Sequence, residues 1–218
     1  MPEPEESLVR DDPQLRQRLR DDPDRVLAEQ FTKHHPRLRR LVAFRMDPMA
    51  ISRVDPDDVL QEAWLAARSR LDSYLESTAM SIYVWLRLIA LQTIIDVHRR
   101  HLGAKMRDAF REVSIEQVQS SDTSQAIARQ LLGAESSPSQ ALMRDEASRR
   151  LEQVINNMEP IDREVLALRH FEELSNNEVA EVLGIQVKAA SIRYIRALKR
   201  LKEILGTLST FMGKPRDV

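Results

Sequence analysis

Apolar positions recur with a helical period from Asp24 to about Met46, at Val26, Leu27, Phe31, Leu38, Leu41, Val42 and Phe44, with Pro36 placed to kink or split the helix. A second helix is announced by Asp55 as N-cap, Pro56 at the first helical position, and Asp57 and Asp58 in the first turn, where carboxylates complement the helix dipole. It runs to about Tyr74 with Val59, Leu60, Ala63, Trp64, Ala67 and Leu71 on its apolar face, while Gln61, Glu62, Arg68 and Arg70 face elsewhere. After the polar loop Glu76-Ser77-Thr78, a third helix from Ser81 to about His101 is apolar through Ile82, Val84, Trp85, Leu86, Leu88, Ile89, Ile94 and Ile95. It then turns basic at His98-Arg99-Arg100-His101, and the cations continue in Lys105, Arg107 and Arg111, more than the dipole of a helix C-terminus needs.

The periodicity fades between Glu112 and Pro138, a Ser- and Gln-rich stretch that reads as an interdomain linker with one helical turn at Ala126 to Leu132. Helical spacing returns from Ser139 to Met158, breaks at Glu159-Pro160 and resumes from about Ile161 to Phe171. Next, Ser175 with Glu178 has the spacing of a capping box, and Val179, Ala180, Val182 and Leu183 form the inner face of a short helix closed by Gly184. In the longer helix beyond Gln186, Ala190, Tyr194, Ala197, Leu198, Leu201 and Leu205 are expected inside. Lys188, Ser191, Arg193, Arg196, Lys199, Arg200 and Lys202 are left for solvent or phosphate. Two helices joined by a glycine turn, with a small alanine to allow close approach, match a helix-turn-helix whose second helix enters a major groove. An ordinary helical hairpin with a solvated basic face is the other reading.

Composition bounds the fold. At 218 residues, with 42% hydrophobic and 31% charged positions and only 5 glycines and 10 prolines, the chain is expected to be all-α: two small helical domains joined by a flexible linker, the C-terminal one a helix-turn-helix. The expected boundaries are a charged extension at 1–23, a first domain at 24–111, a linker at 112–138, a second domain at 139–207 and a tail at 208–218. The extension carries two Asp-Asp-Pro steps, at 11–13 and 21–23, open to reading as chance or as a short capped helix. Its start is highly charged and no apolar run approaches the roughly 18 residues of a membrane span, so a cytoplasmic location is expected. The net charge of −1 does not announce a nucleic-acid binder; the gathering of cations on two helices does.

Chemistry is sparse. Without cysteine there are no disulfides, and any zinc site would have to come from His, Asp and Glu. There is no Gly-rich phosphate loop, no Gly-x-Ser-x-Gly and no metal-ligand spacing, and His34-His35 and His98 with His101 are isolated. No catalytic residue, metal or cofactor is therefore expected.

The residues resemble the bacterial RNA polymerase sigma factors of the sigma-70 family, specifically the small extracytoplasmic-function type. Asp58-Val59-Leu60-Gln61-Glu62 is similar to the family's core-binding helix, Trp85-Leu86 with Ile89-Ala90 and Asp96 to its melting and recognition helix, and Met158 through Leu205 to its domain four. The resemblance spans about Asp24 to Leu205 and implies a transcription initiation factor with core RNA polymerase and promoter DNA as partners and, for some members, an anti-sigma protein. It implies core binding by Asp57, Asp58, Gln61 and Glu62. It implies minus-ten recognition by Ser77, Thr78, Tyr83, Trp85, Gln92, Asp96, Arg99 and Arg100, and minus-35 recognition by Gln186, Lys188, Ala189, Ser191, Ile192, Arg193, Arg196 and Lys199. Where the family often carries Arg-Asn this chain has Leu91-Gln92, which loses a phosphate contact at Leu91 and leaves a base contact to Gln92. Several positions keep two readings: Trp64 and Trp85 as core or as base platforms, Asp58 and Glu62 as docking groups or as helix-start carboxylates, and Asp96 with Arg99 and Arg100 as intrahelical ion pairs. A free-standing helix-turn-helix regulator is the alternative function; it would leave Asp58 to Glu62 idle.

Overall fold

Helices in this chain begin where proline or a polar cap stands. The computed structural model describes residues 13–46, 54–77, 80–101, 115–132 and 138–212, and every regular element among them is helical. Helices α1 (Pro13–Asp21), α2 (Pro23–Arg45), α3 (Pro56–Glu76), α6 (Pro138–Asn156) and α7 (Pro160–Leu166) each start on a proline. Its fixed φ suits the first turn, and the N–H it lacks would have had no intrahelical partner. Between them lie α4 (Ile82–His101) and α5 (Ile115–Leu132); α7 runs into a π-helical turn, Ala167–Phe171, and is followed by α8 (Asn176–Leu183) and α9 (Val187–Met212). Asp55 caps α3 as expected, its carboxylate accepting the Asp57 N–H at 2.8 Å.

Pro36 neither splits nor ends α2. An internal proline costs about 3 kcal/mol, but Leu38, Leu41 and Val42 follow it with no exposed surface, and burying each contributes a further 1.5–3 kcal/mol or so. Helices α2, α3 and α4 pack as one unit around Leu27, Leu41, Leu60, Ala67, Leu86 and Ile94. Helices α5, α6, α7 and α9 pack around Ile127, Leu151, Ile155, Leu166 and Ala197.

Two features go beyond the sequence reading. The expected linker is helical over Ile115–Leu132 rather than for one turn, with Thr123, Ser124, Ala126, Ile127 and Ala128 buried. Its two buried hydroxyls are satisfied inside the fold: Thr123 donates to Glu164 at 2.8 Å and Ser124 to Asn156 at 2.7 Å, so a polar composition did not mean a solvated segment. The apolar core of α2–α4 also continues without a break into Val165, Leu168, Leu174, Val179 and Ala190 of the helix-turn-helix half. The end of the charged extension is α1, whose Leu19 is fully buried.

Candidate nucleic-acid interface

The helix-turn-helix is built as its sequence specifies. The Ser175 hydroxyl accepts the Glu178 N–H at 3.2 Å while the Glu178 carboxylate accepts the Ser175 N–H at 2.7 Å, the two halves of a capping box. Gly184 ends α8 at φ 62, and Ile185 donates to the Ala180 carbonyl at 3.0 Å. A Cβ at Gly184 would meet nothing within 4 Å, so it is the left-handed backbone, not crowding, that calls for glycine. Ala180 and Ala190, both fully buried, let α8 and α9 approach closely.

That packing decides which side chains of α9 face out. Gln186, Lys188, Ile192 and Lys199 are exposed, with Ala189 and Ser191 at the edge of the packed face. Arg193 and Arg196 lean back onto Asp162 of α7: Arg193 donates to Asp162 Oδ1 at 2.8 Å, and Arg196 donates to both oxygens at 2.6 and 2.9 Å. Burial pushes the Asp162 carboxyl up, but hydrogen bonds from Arg196 and Arg193 outweigh it and hold the group below the usual carboxylate range. Ala197 and Leu201 are inside as expected; Leu205 is a correction, 37% exposed, with Ile204 taking the inward place.

On α3, Asp58, Gln61 and Glu62 are exposed beside a groove between α2 and α3, of about 400 Å³, whose lining includes Phe31, Leu60, Trp64 and Leu65. Leu65, 64% exposed, and the half-buried Trp64, edge-on to Phe31 at 5.3 Å, give this acidic face an apolar centre that the sequence reading did not assign. Asp57 lies 3.2 Å from Arg39 and 3.7 Å from His35, and Glu62 pairs with Arg100 of α4.

The residues expected at the minus-ten element do not form one open surface. Asp96, Arg99 and Arg100 are exposed, Asp96 lying 3.9 Å from Arg99, and Gln92 accepts from Arg70 at 2.9 Å. Ser77 is exposed, its carbonyl accepting from Arg16 at 2.7 Å; Thr78, Lys105, Arg107 and Arg111 lie outside the described residues. Tyr83 and Trp85 are the correction: both are buried and neither can receive an unstacked base in this arrangement. Trp85 stacks on Tyr74 with centroids 4.4 Å apart, while Tyr83 lies between His34, at 5.1 Å, and the Arg37 guanidinium, 3.6 Å above its ring. Arg37 in turn holds Glu178 of α8 through two bonds of 2.9 and 2.8 Å, and Glu181 of α8 accepts from both the N–H and the hydroxyl of Ser81, the latter at 2.8 Å. The first helix of the helix-turn-helix thus lies across the start of α4.

Sequence reasoning missed the group that joins the two halves. Glu172, just past the π-helical turn, is fully buried and accepts from Arg45 of α2 at 2.7 Å and from Arg87 of α4 at 2.8 Å. Arg45 also donates to Glu164 of α7 at 2.6 Å and to Thr123 of α5 at 2.8 Å. Burial pushes the Glu172 carboxyl up, yet Arg45 and Arg87 hold it below its ordinary value. An arginine and glutamates that are charged in sequence but sit among apolar helical positions were the signal available.

Two family models match the chain, one in each half. The model of sigma-70 region 2 matches residues 30–102, and that of sigma-70, region 4 matches residues 148–201. The RNA polymerase sigma-H factor of Pseudomonas aeruginosa is 30% identical over 155 residues, covering 71% of this chain and 75% of that one. The RNA polymerase sigma factor CarQ of Myxococcus xanthus is 26% identical over 196 residues, 88% of this chain and 96% of that one. Among solved structures, CnrH in complex with the cytosolic domain of CnrY is similar at 22% identity and a TM-score of 0.47, covering 88% of this chain and 96% of that one. With region 2 and region 4 both matched in order, and a curated sigma factor matched over three quarters of its length, the chain belongs to the sigma-70 family of RNA polymerase sigma factors and is of the extracytoplasmic-function type.

Proposed function

We propose a division of labour for this transcription initiation factor, which binds core RNA polymerase and directs it to promoters. Core polymerase docks on the exposed side of α3, where Asp57 and Gln61 line the groove with Leu65 and the exposed Asp58 and Glu62 follow them in the helix. Upstream duplex DNA, the minus-35 element, is read by α9, with Lys188 and Lys199 toward phosphates and Gln186, Ala189, Ser191 and Ile192 toward base edges. Arg193 and Arg196 sit on its flank against Asp162. The basic end of α4 at Arg99 and Arg100, with Asp96, Gln92 and the loop at Ser77, takes the strand opened at the minus-ten element. Tyr83 joins it only when Arg37, which Glu178 of α8 holds, leaves its ring, while Trp85 stays stacked on Tyr74 within the core. The chain works in the cytoplasm by binding core polymerase and promoter DNA.

The observation that carries this reading is the outward face of α9, which follows a capped helix and a glycine turn and keeps its lysines exposed while its apolar side is packed. The test is reconstitution with purified core polymerase and mapping of transcription starts. Lys188→Ala with Lys199→Ala is expected to keep core binding and lose upstream-element binding, and Asp58→Ala with Glu62→Ala to lose core binding. Tight binding of a duplex site by the chain alone, unaffected by Asp58→Ala, would overturn it in favour of a free-standing regulator.

A further inference from the structure

The outward stripe of α9 is apolar at its centre. Positions 188, 192, 195 and 199 are spaced by four, three and four residues, so they share one helix face. That face reads Lys188, Ile192, Ile195, Lys199, with Ile192 56% and Ile195 66% exposed. Among the described residues these are two of only four large apolar side chains that face water, and they lie one turn apart on the helix of the molecule best placed to enter a groove.

Charge around the stripe selects its occupant. No Asp or Glu occurs between Val187 and Lys202, so the face repels no phosphate. The cations nearest the stripe's flank, Arg193 and Arg196, are drawn back onto the single carboxylate of Asp162, which cancels one of their two charges and leaves the lysines at the two ends of a methyl-rich middle. A protein partner of ordinary acidic character would meet the lysines but gain little at the centre. A major groove offers both parts: phosphates along its walls and, on its floor, the C5-methyl of each thymine, the one apolar group by which a base pair is distinguished there.

We propose that Ile192 and Ile195 set part of the upstream specificity of this sigma factor by packing against thymine methyl groups in the major groove. The proposal rests on the reading of α9 as the duplex reader and names the base it prefers. Ile195 joins the contact set, and preference at these positions comes from apolar contact, with no hydrogen bond from the isoleucines.

The test uses the full chain bound to core polymerase and a pool of promoter duplexes randomised across the upstream element. After selection, each thymine of the preferred element is replaced by uracil, which removes the C5-methyl and leaves the pairing edge untouched. The expected result is a loss of about fourfold in affinity at one or two positions, the worth of one buried methyl-sized group. In Ile192→Ser and Ile195→Ser the thymine and uracil duplexes bind alike, while core binding is unchanged because both positions are on the surface. A preferred element indifferent to every thymine-to-uracil change, or a difference that persists in both serine variants, overturns this inference and leaves the duplex reader standing. No selected upstream preference at all overturns both. Serine variants that weaken core binding and leave DNA binding intact overturn it in favour of a protein contact.

Discussion

Arg45 and Glu172, 127 positions apart in the chain, meet in a 2.7 Å charge-assisted hydrogen bond with the arginine side chain 4% exposed and the glutamate not at all. Removing one member of a buried, hydrogen-bonded pair leaves the other charge stranded, which costs about 3–5 kcal/mol. Glu172→Ala takes from Arg87 the carboxylate it hydrogen-bonds and leaves Arg45 with Glu164 and Thr123 alone. The expected outcome is a fall in unfolding free energy within that range by urea denaturation, with the linker helix α5 loosened through Thr123. A loss under about 1 kcal/mol, the scale of a surface change, would show that the network is not buried in solution.

His34 gives the pH dependence a second origin. Burial, with Lys33 and Arg37 nearby, pushes its imidazole down to about 4 from an ordinary 6.5. Between those two values the unfolded chain binds a proton that the folded chain refuses, so stability falls as pH drops from 6.5 and levels off below about 4. Glu172, Glu178 and Asp162, all depressed, act in the same direction but lower: their contribution is present above the ordinary carboxylate range and lost as pH falls through their folded values. From pH 7 to pH 5 the histidine therefore dominates, contributing a loss of about 2 kcal/mol. His34→Gln is expected to flatten that part of the urea-midpoint profile and leave the steeper acid limb unchanged. An unchanged slope between pH 7 and pH 5 would show that His34 stays solvated.

Helix α8 meets α2 and the start of α4 beside Tyr83, and the polar ties there include Arg37 with Glu178 and Glu181 with Ser81. Hydrogen bonds to charged groups contribute about 1.5–3 kcal/mol each, so losing both should shift the balance between closed and open forms by tenfold or more, by rough count. Because the chain has no cysteine, dyes can be placed at cysteines introduced for exposed Asp72 and Gln153. Arg37→Ala with Glu181→Ala is expected to lengthen the dye separation in the isolated chain. Core polymerase is expected to do the same to the unaltered chain. Equal separations in all three samples would count against a closed form that opens for promoter binding.

The helices were legible because each carries its own start signal and a one-sided apolar pattern; Asp55-Pro56 and the Ser175–Glu178 box needed nothing from the rest of the chain. The exposed lysines of α9 were legible for the same reason. Linker helix α5 was not, since Thr123 and Ser124 look like solvent groups until Glu164 and Asn156 are brought to them from 41 and 32 positions away. Tyr83 was misplaced on similar grounds. Its neighbours within α4 leave it half-committed, and it is Arg37 and His34 of α2, with Glu178 beyond, that bury it. Local pattern specifies elements and faces; which faces meet is decided by pairs distant in sequence.

Asp162 ties α7 to α9, the helix proposed to read duplex DNA. Its carboxylate, 6% exposed, holds Arg193 and Arg196 in a fixed fork and cancels part of their charge. Each additional cation free to neutralise a phosphate steepens the dependence of log affinity on log salt by about 0.9. Asp162→Asn keeps the shape but removes the charge and leaves one acceptor oxygen in place of two. It is expected to strengthen duplex binding at low salt and to steepen the salt slope by about 1 to 2. Sequence discrimination should fall at the same time, because the added attraction is to phosphates and ignores the bases. Fluorescence anisotropy of holoenzyme on selected and scrambled upstream duplexes across a salt series measures both quantities. An unchanged slope would mean that the two arginines already reach phosphate while bound to Asp162, and a shallower one that Asp162 is what aims them.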